Sequence, residues 1–171
     1  YKVEGFAARV AEIREAMPSV SISTDIIVGF PGETARQFEN TYDTLRDLQF
    51  DVVHVAAYSP RPGTVAARQY ADDVPADVKS DRLHRIESLQ EEVAGRINSR
   101  LVHTTVEVLV EGRRKGKWFG RTRTDKLVFF EHEGNLTGHI VHIAIDHASP
   151  WALQGHVVYN TQVSTRRFHQ Q

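Results

Sequence analysis

Residues 23–34 have the sequence STDIIVGFPGET, in which a β-branched run passes directly into a glycine-rich turn. Residues 20–28 predict a strand buried on both faces, as in a parallel sheet that is covered on both sides. Residues 29–32 predict a tight turn, and Thr34 with Gln37 has the spacing of a helix capping box. The stretch therefore predicts the strand, turn and helix start from which parallel α/β folds are built.

The segments on either side of this stretch continue the same order. Apolar residues at helical spacing predict a helix over residues 3–17 and another directly after the turn, and residues 51–58 predict a second strand. Pro75 has a position typical of a first helical turn, and a long amphipathic helix is expected to continue to about residue 100. Helix, strand, helix, strand predicts a parallel α/β arrangement over residues 1–100.

Residues 101–165 change to short alternating apolar segments separated by glycine. Strands are predicted over residues 106–110, 127–130, 140–145 and 154–159. Several short strands within about 60 residues favour a small closed all-β barrel of the OB-like kind. Residues 166–171 are polar and are predicted to form a tail.

The composition limits the chemistry that the chain itself can supply. It has 171 residues, a net charge of −1 and no cysteine, so disulfides, thiolate nucleophiles and cysteine-ligated clusters are excluded within it. The nine histidines lack metal-ligand spacing, and no metal site is expected in this segment. No apolar run approaches about 18 residues, so we expect no membrane span and a cytoplasmic location.

Positive charge is concentrated in the second half of the chain. Residues 1–100 hold 12 Lys and Arg against 16 Asp and Glu, whereas residues 101–171 hold 9 against 6. Seven of these cations are Arg113, Arg114, Lys115, Lys117, Arg121, Arg123 and Lys126. With Trp118 and Phe119 among them, the cluster predicts contacts to phosphates and exposed bases of RNA. The alternative is a solvated hairpin whose two aromatic residues belong to the core.

Two loops are candidates for a ligand site in the first half. The turn at residues 29–32 and the loop YSPRPG at residues 58–63 each follow a predicted strand, so both are expected at the carboxyl edge of the sheet, where ligands bind. Gly29 would give a ligand access to the backbone, Glu33 would accept hydrogen bonds from a ribose or amine, and Tyr58 would stack on a base. The alternative is a pair of ordinary connections without a ligand.

Several stretches, taken in this order, resemble the MiaB type of tRNA methylthiotransferase, which is a radical-SAM family. The matching stretches are STDIIVGFPGET at 23–34, YSPRPGTVAA at 58–67, VP..VKSDRL at 74–83, TVEVLVEG at 105–112 and GRTRTDKLVFF at 120–130. The resemblance extends from about residue 2 to residue 160. The first stretch alone is shared with many radical-SAM enzymes, whereas the combination is specific.

The resemblance implies that residues 1–100 are an incomplete parallel-stranded radical-SAM barrel segment and that residues 101–165 are a TRAM barrel that binds tRNA. It implies methylthiolation of C2 of an isopentenyl-modified adenosine next to the anticodon. It also implies S-adenosylmethionine and two 4Fe-4S clusters as cofactors of the full-length protein. The residues expected to border S-adenosylmethionine are Val28, Gly29, Glu33, Tyr58 and Ser59.

The sequence departs from the family because the CxxxCxxC motif and three further cluster cysteines are missing. In the family both precede the region that these 171 residues resemble, so we expect a segment of a longer protein that is inactive alone and binds none of these cofactors fully. No catalytic residue is assigned. The alternatives are a methylthiotransferase for a ribosomal-protein aspartate, a non-catalytic RNA-binding module, or an α/β fragment without independent activity. The oligomeric state is left open.

Overall fold

A computed structural model describes residues 2–158, which form two compact units. The first unit contains the chain up to Arg100 together with Ser149–Trp151, and the second contains Leu101–Ala148 and continues from Ala152. The predicted tail at residues 166–171 and the end of the last predicted strand at Tyr159 lie outside the described residues. No helix within residues 2–158 combines the length and the apolar character needed to cross a lipid bilayer.

The first unit alternates helices with two parallel strands. Its elements are α1 (Val3–Ala16), β1 (Ser23–Val28), α2 (Ala35–Leu48), β2 (Val52–Ala57), α3 (Val65–Gln69) and α4 (Ala76–Ser99). The register of β1 and β2 extends from Ser23 opposite Val52 to Val28 opposite Ala57. The predicted parallel order is therefore confirmed. The short helix α3 was not predicted, and Thr64 caps it by accepting a hydrogen bond from the backbone amide of Ala67.

Local hydrogen bonds explain where α2 begins and ends. The Thr34 hydroxyl accepts from the Gln37 amide at 3.3 Å, and the Gln37 side-chain oxygen accepts from the Thr34 amide at 2.8 Å. This reciprocal pair satisfies two amides that have no partner within the helix, and it confirms the predicted capping box. The helix ends where Gln49 adopts a left-handed backbone conformation, with φ of 49°.

Only one face of the two-stranded sheet is covered. Val28 packs there with Phe38 of α2 and Ile86 of α4, and all three are almost fully buried. On the opposite face Ile27 is 58% exposed and Val52 is 41% exposed. The prediction that residues 20–28 are buried on both faces is wrong for this chain, because within residues 2–158 the strand pairs only with β2 and helices cover one side.

The second unit is a closed five-stranded barrel. Its strands are β3 (Thr105–Arg114), β4 (Lys117–Thr122), β5 (Leu127–Glu131), β6 (Ile140–Ala148) and β7 (Leu153–Val157). They follow the order β3-β4-β5-β7-β6, with β6 also paired to β3. The β5–β7 pair is parallel and the other pairs are antiparallel. The predicted small all-β barrel is confirmed, although β4 was not among the predicted strands.

Two glycines allow neighbouring strands of the barrel to approach closely. A Cβ at Gly120 would lie 2.1 Å from the Leu109 carbonyl oxygen, and a Cβ at Gly155 would lie 2.0 Å from the Ala144 carbonyl oxygen. No side chain fits at either distance, because backbone atoms cannot move aside as the end of a flexible side chain can. The barrel interior is filled by apolar side chains such as Val108, which is fully buried.

The replacement Gly120→Ala is expected to lower the free energy of unfolding of the barrel by about 3 kcal/mol or more, because strand β3 would have to move. Urea unfolding can be followed by Trp118 fluorescence in a Trp151→Phe background, which leaves a single tryptophan. The control is Gly112→Ala, whose Cβ would meet the Phe119 ring at an ordinary 3.5 Å. Equal losses in the two variants would show that Gly120 is not required for strand packing.

Candidate cofactor edge and candidate RNA interface

The turn after β1 and the loop after β2 lie side by side at one edge of the sheet. Val28 and Ala57 form the last pair of the parallel register, and the Tyr58 amide donates to the Val28 carbonyl at 2.8 Å. The rings of Phe30 and Tyr58 meet edge to face with centroids 5.1 Å apart. The two candidate loops of the sequence are therefore brought together.

Gly29 is required by a neighbouring side chain at this edge. Its φ of 69° lies in the left-handed region, and its amide donates to Glu33 Oε2 at 2.6 Å. A Cβ at this position would lie 2.4 Å from Lys79 Cγ. The side of Gly29 that the sequence offered to a ligand is thus occupied by the stem of Lys79.

Lys79 holds the loop that follows β2. Although it is only 7% exposed, its Nζ donates to the Tyr58 carbonyl oxygen at 3.2 Å and forms an ion pair with Asp72. The ammonium also lies 5.3 Å from the centroid of the Tyr58 ring, within the range of a cation–π contact. Tyr58 is therefore fixed by both its backbone and its ring.

Glu33 forms a buried ion pair with Arg82 of α4. Arg82 Nη1 lies 2.6 Å from Glu33 Oε2, and the two side chains are 7% and 12% exposed. The same guanidinium nitrogen donates to the Glu33 carbonyl oxygen at 3.1 Å. The carboxylate that the sequence suggested for a ribose or amine therefore already accepts hydrogen bonds from Arg82 and from the Gly29 amide.

The five residues predicted to border a cofactor all lie at this edge, but they differ in what they present. The side chain of Val28 is in the core, whereas Gly29 and Glu33 are engaged within the chain. Tyr58 is half-buried, and Ser59 is exposed. A role in cofactor binding stays a prediction for all five.

The helix-free face of the sheet was not predicted from the sequence. It comprises Ser23, Asp25 and Ile27 of β1 and Val52, His54 and Ala56 of β2. Its residues are all exposed, and Asp25 lies opposite His54 in the parallel register. Sequence reasoning missed this face because it treated the strand as buried on both sides. Ser23, Thr24 and Asp25 are three polar residues in a row, so the strand shows no polar–apolar alternation that would reveal this face.

Acidic neighbours neutralise part of the predicted RNA-binding cluster. Arg123 forms a hydrogen-bonded ion pair with Glu107, and this hydrogen bond holds the pKa of Glu107 below its ordinary value. Arg121 lies 3.6 Å from Asp125 and 4.0 Å from Glu111. Because acidic side chains lie beside both guanidinium groups, the two arginines present less net positive charge than the sequence suggested.

The two aromatic residues of the cluster separate onto opposite faces of β4. Trp118 is 6% exposed within the barrel core, and its Nε1 donates to the His132 carbonyl oxygen at 2.9 Å. Arg113 lies 5.7 Å from the centroid of the Trp118 ring. Phe119 lies on the outer side, half-buried, with its ring 6.3 Å from that of Phe129. The core alternative is thus right for Trp118 and wrong for Phe119.

Three of the remaining cations line a cleft on the outer surface of the barrel. The cleft has a volume of about 370 Å³ and is lined by Arg114, Lys115, Lys117, Phe129 and Gln154. Within residues 2–158 neither Arg114 nor Lys115 forms an ion pair, and Lys117 lies 3.7 Å from Glu131. Lys126 is half-buried beyond this cleft lining. The strongest unneutralised positive charge of the cluster is therefore at the cleft.

The part of the chain that the structure describes contains no cluster of metal-binding side chains. No group of three or more His, Asp or Glu side chains there could hold a metal ion. The chain also has no cysteine, so the donor atoms of an iron–sulfur cluster are missing from its sequence.

Similarity to known proteins extends over residues of both units. The family model for the TRAM domain matches residues 90–158. A tRNA-2-methylthio-N(6)-dimethylallyladenosine synthase of Dehalococcoides mccartyi is 51% identical over 158 residues, which are 92% of this chain and 38% of that relative. Relatives with the same name are 49% identical in a Roseiflexus species and 50% identical in Chloroflexus aurantiacus, each over 91% of this chain. The chain covers 33% and 34% of those two relatives.

The strands of the closed barrel lie within residues 90–158, the part of the chain that matches the family model for the TRAM domain. The chain spans about one third of the length of the curated relatives that it matches. It matches the carboxy-terminal part of the MiaB-type tRNA methylthiotransferases, and the resemblance drawn from the sequence is confirmed.

The replacement Glu33→Gln is expected to lower the free energy of unfolding by about 3–5 kcal/mol, because it leaves the buried Arg82 guanidinium without a counter-charge. Urea unfolding followed by circular dichroism at 222 nm measures the loss. The control is Glu39→Gln, which breaks the exposed pair of Glu39 with Arg85 and should cost much less stability, because solvent screens that pair. If the two variants unfold alike, the Glu33–Arg82 pair does not hold the turn.

Proposed function

We propose that this chain is the carboxy-terminal part of an enzyme that methylthiolates C2 of an isopentenyl-modified adenosine next to the anticodon of tRNA. The observation that carries the proposal is identity of about half over 92% of the chain to a synthase whose name specifies that nucleoside. A ribosomal-protein aspartate is not favoured as the substrate, because the relatives are named for tRNA. We propose a cytoplasmic location for this enzyme, because its proposed substrate is tRNA.

The open sheet of the first unit supports its role as a segment of a radical-SAM barrel. Parallel sheets are found with both faces covered, yet one face of β1 and β2 is open in residues 2–158. A groove of about 490 Å³ lies beside β1, with Phe6, Ile26 and Leu45 among its lining. Further parallel strands of the longer protein would extend the sheet at this groove and turn the open face into the inside of a barrel.

The same open face supports a part in holding S-adenosylmethionine. In parallel α/β barrels, ligands bind at the carboxyl ends of the strands, where Tyr58 and Ser59 follow β2. Tyr58 would offer its ring and Ser59 its hydroxyl, while Gly29 and Glu33 would keep the adjoining turn in shape. When bound in the full-length protein, S-adenosylmethionine supplies the radical and the methyl group. In that protein Tyr58 and Ser59 would help to orient it.

The iron–sulfur clusters do not fit the residues of this chain, which supplies no thiolate. No step of the reaction is therefore assigned to a cluster held here. Two 4Fe-4S clusters belong to the proposal only as cofactors of the longer protein, with their cysteines in its remaining length.

The outer surface of the barrel supports binding of tRNA. Arg114 and Lys115 present charges that no carboxylate within residues 2–158 neutralises, and the half-buried Phe129 lines the same cleft. Cations release counterions when they bind phosphates, and aromatic faces stack on unpaired bases. Arg121 and Arg123 are expected to contribute less, because their charges are shared with acidic neighbours.

The proposal is tested by extending the reading frame upstream of Tyr1. We expect six cluster cysteines, three of them in a CxxxCxxC motif, and iron in the anaerobically purified longer protein. Expression in a host that lacks its own enzyme should restore the methylthio nucleoside, measured by mass spectrometry of digested tRNA. An upstream sequence without these cysteines, or tRNA that stays unmodified, would refute the catalytic proposal and leave the RNA-binding module.

A second test uses the 171-residue chain and tRNA. Binding is expected to weaken steeply as salt rises, and the double variant Arg114→Ala, Lys115→Ala should flatten the slope of log K against log salt by about 2. The loss should be similar for different tRNAs. The charge-matched control is Arg9→Ala, Arg36→Ala in the first unit, which should keep the slope. Binding that does not depend on salt would contradict the assignment of this surface.

A further inference from the structure

From the cleft on the outer face of the barrel, we propose a site for a single unpaired nucleotide. The base would stack on Phe129 and form hydrogen bonds with Gln154, and the phosphates would contact Arg114, Lys115 and Lys117. This site rests on the proposed RNA-binding function, and it would make unpaired RNA the form that the barrel binds.

The strand register places the two base-contacting side chains next to each other. Phe129 of β5 lies opposite Gln154 of β7 in the parallel pair. Their chain neighbours Val128, Phe130 and Leu153 are almost fully buried in the barrel. Because successive side chains of a strand point to opposite faces, Phe129 and Gln154 both lie on the outer surface.

The properties of these two side chains match those of a nucleobase. Phe129 is half-buried, so one part of its ring is accessible, and the tilted Phe119 ring supports it from the side. Gln154 is exposed, and its amide forms no hydrogen bond with residues 2–158. An amide carries both donors and an acceptor, which pair with a base edge such as that of adenine.

Charge and size favour one nucleotide over a double helix. Three cations face one carboxylate, since Lys117 is the only one of them near an acid, Glu131, at 3.7 Å in the described part of the chain. The volume of about 370 Å³ lies within the range of small-ligand clefts. A paired base in a helix is stacked on its neighbours and cannot reach Phe129, so the cleft requires an unpaired base.

The experiment uses the 171-residue chain and three fluorescein-labelled RNA hexamers: UUUAUU, UUUUUU and one with six abasic residues. Dissociation constants are measured by anisotropy. Phe129→Leu is expected to weaken binding of UUUAUU by about fivefold or more without changing its salt slope, as for lost stacking. The control hexamer, in which all six residues are abasic, should bind the unchanged chain weakly, and Phe129→Leu should weaken it no further. Gln154→Ala should cost about two- to tenfold and reduce the preference for adenosine over uridine.

The matched control is Phe119→Leu, which removes a half-buried phenylalanine from the same face but not from the cleft lining. It should weaken binding less than Phe129→Leu does, with circular dichroism melting curves compared for all variants. The cleft proposal is overturned if Phe119→Leu weakens binding equally, if the abasic hexamer binds as tightly as UUUAUU, or if Gln154→Ala keeps the adenosine preference.

The outcomes separate this proposal from the proposed function. If the cleft variants bind normally while Arg114→Ala, Lys115→Ala flattens the salt slope for tRNA, the barrel binds phosphates only and the nucleotide site is wrong. If neither tRNA nor any hexamer binds at low salt, the RNA-binding function itself is wrong.

Discussion

Closure of the barrel depends on the fit of β7 between β5 and β6, where Gly155 passes the Ala144 carbonyl without room for a side chain. Closure satisfies the backbone hydrogen bonds of every strand and leaves no free edge for pairing with another chain. Closure also determines which side chains lie together on the outer surface. Because β7 runs parallel to β5, Gln154 comes to lie beside Phe129, and the cations near the β3–β4 turn line the same cleft.

In the first unit a single helix fixes the strand ends. Lys79 and Arg82 are three residues apart on α4, so they lie on one face of the helix. Lys79 contacts the loop after β2, and Arg82 contacts the turn after β1. Both side chains are more than nine-tenths buried. The two loops are therefore ordered by contacts within the chain, and they do not need a ligand to bring them together.

Much of this architecture was accessible from the sequence, because it follows from local rules. The capping box at Thr34, the long helix after Pro75 and the parallel strand order depend on spacing and turn chemistry. Strand β4 escaped notice because Lys117 and Arg121 point outward and Gly120 points inward, which leaves little apolar alternation. The Glu33–Arg82 pair joins residues 49 apart, and no local pattern reveals such a partner. Whether β1 is buried on one face or on both depends on which other elements pack against it. The residues of the strand itself do not reveal this.

Along β1, residues that pack against the helices alternate with residues on the helix-free face of the sheet. Thr24, Ile26 and Val28 alternate with Ser23, Asp25 and Ile27, and only the first set lies toward the helices. Substitutions at Ser23, Asp25 and Ile27 should therefore change the exposed surface of this sheet and leave the packing of the first unit intact. When the stability of this 171-residue chain alone is scanned, tolerance to substitution should alternate with every second residue along β1.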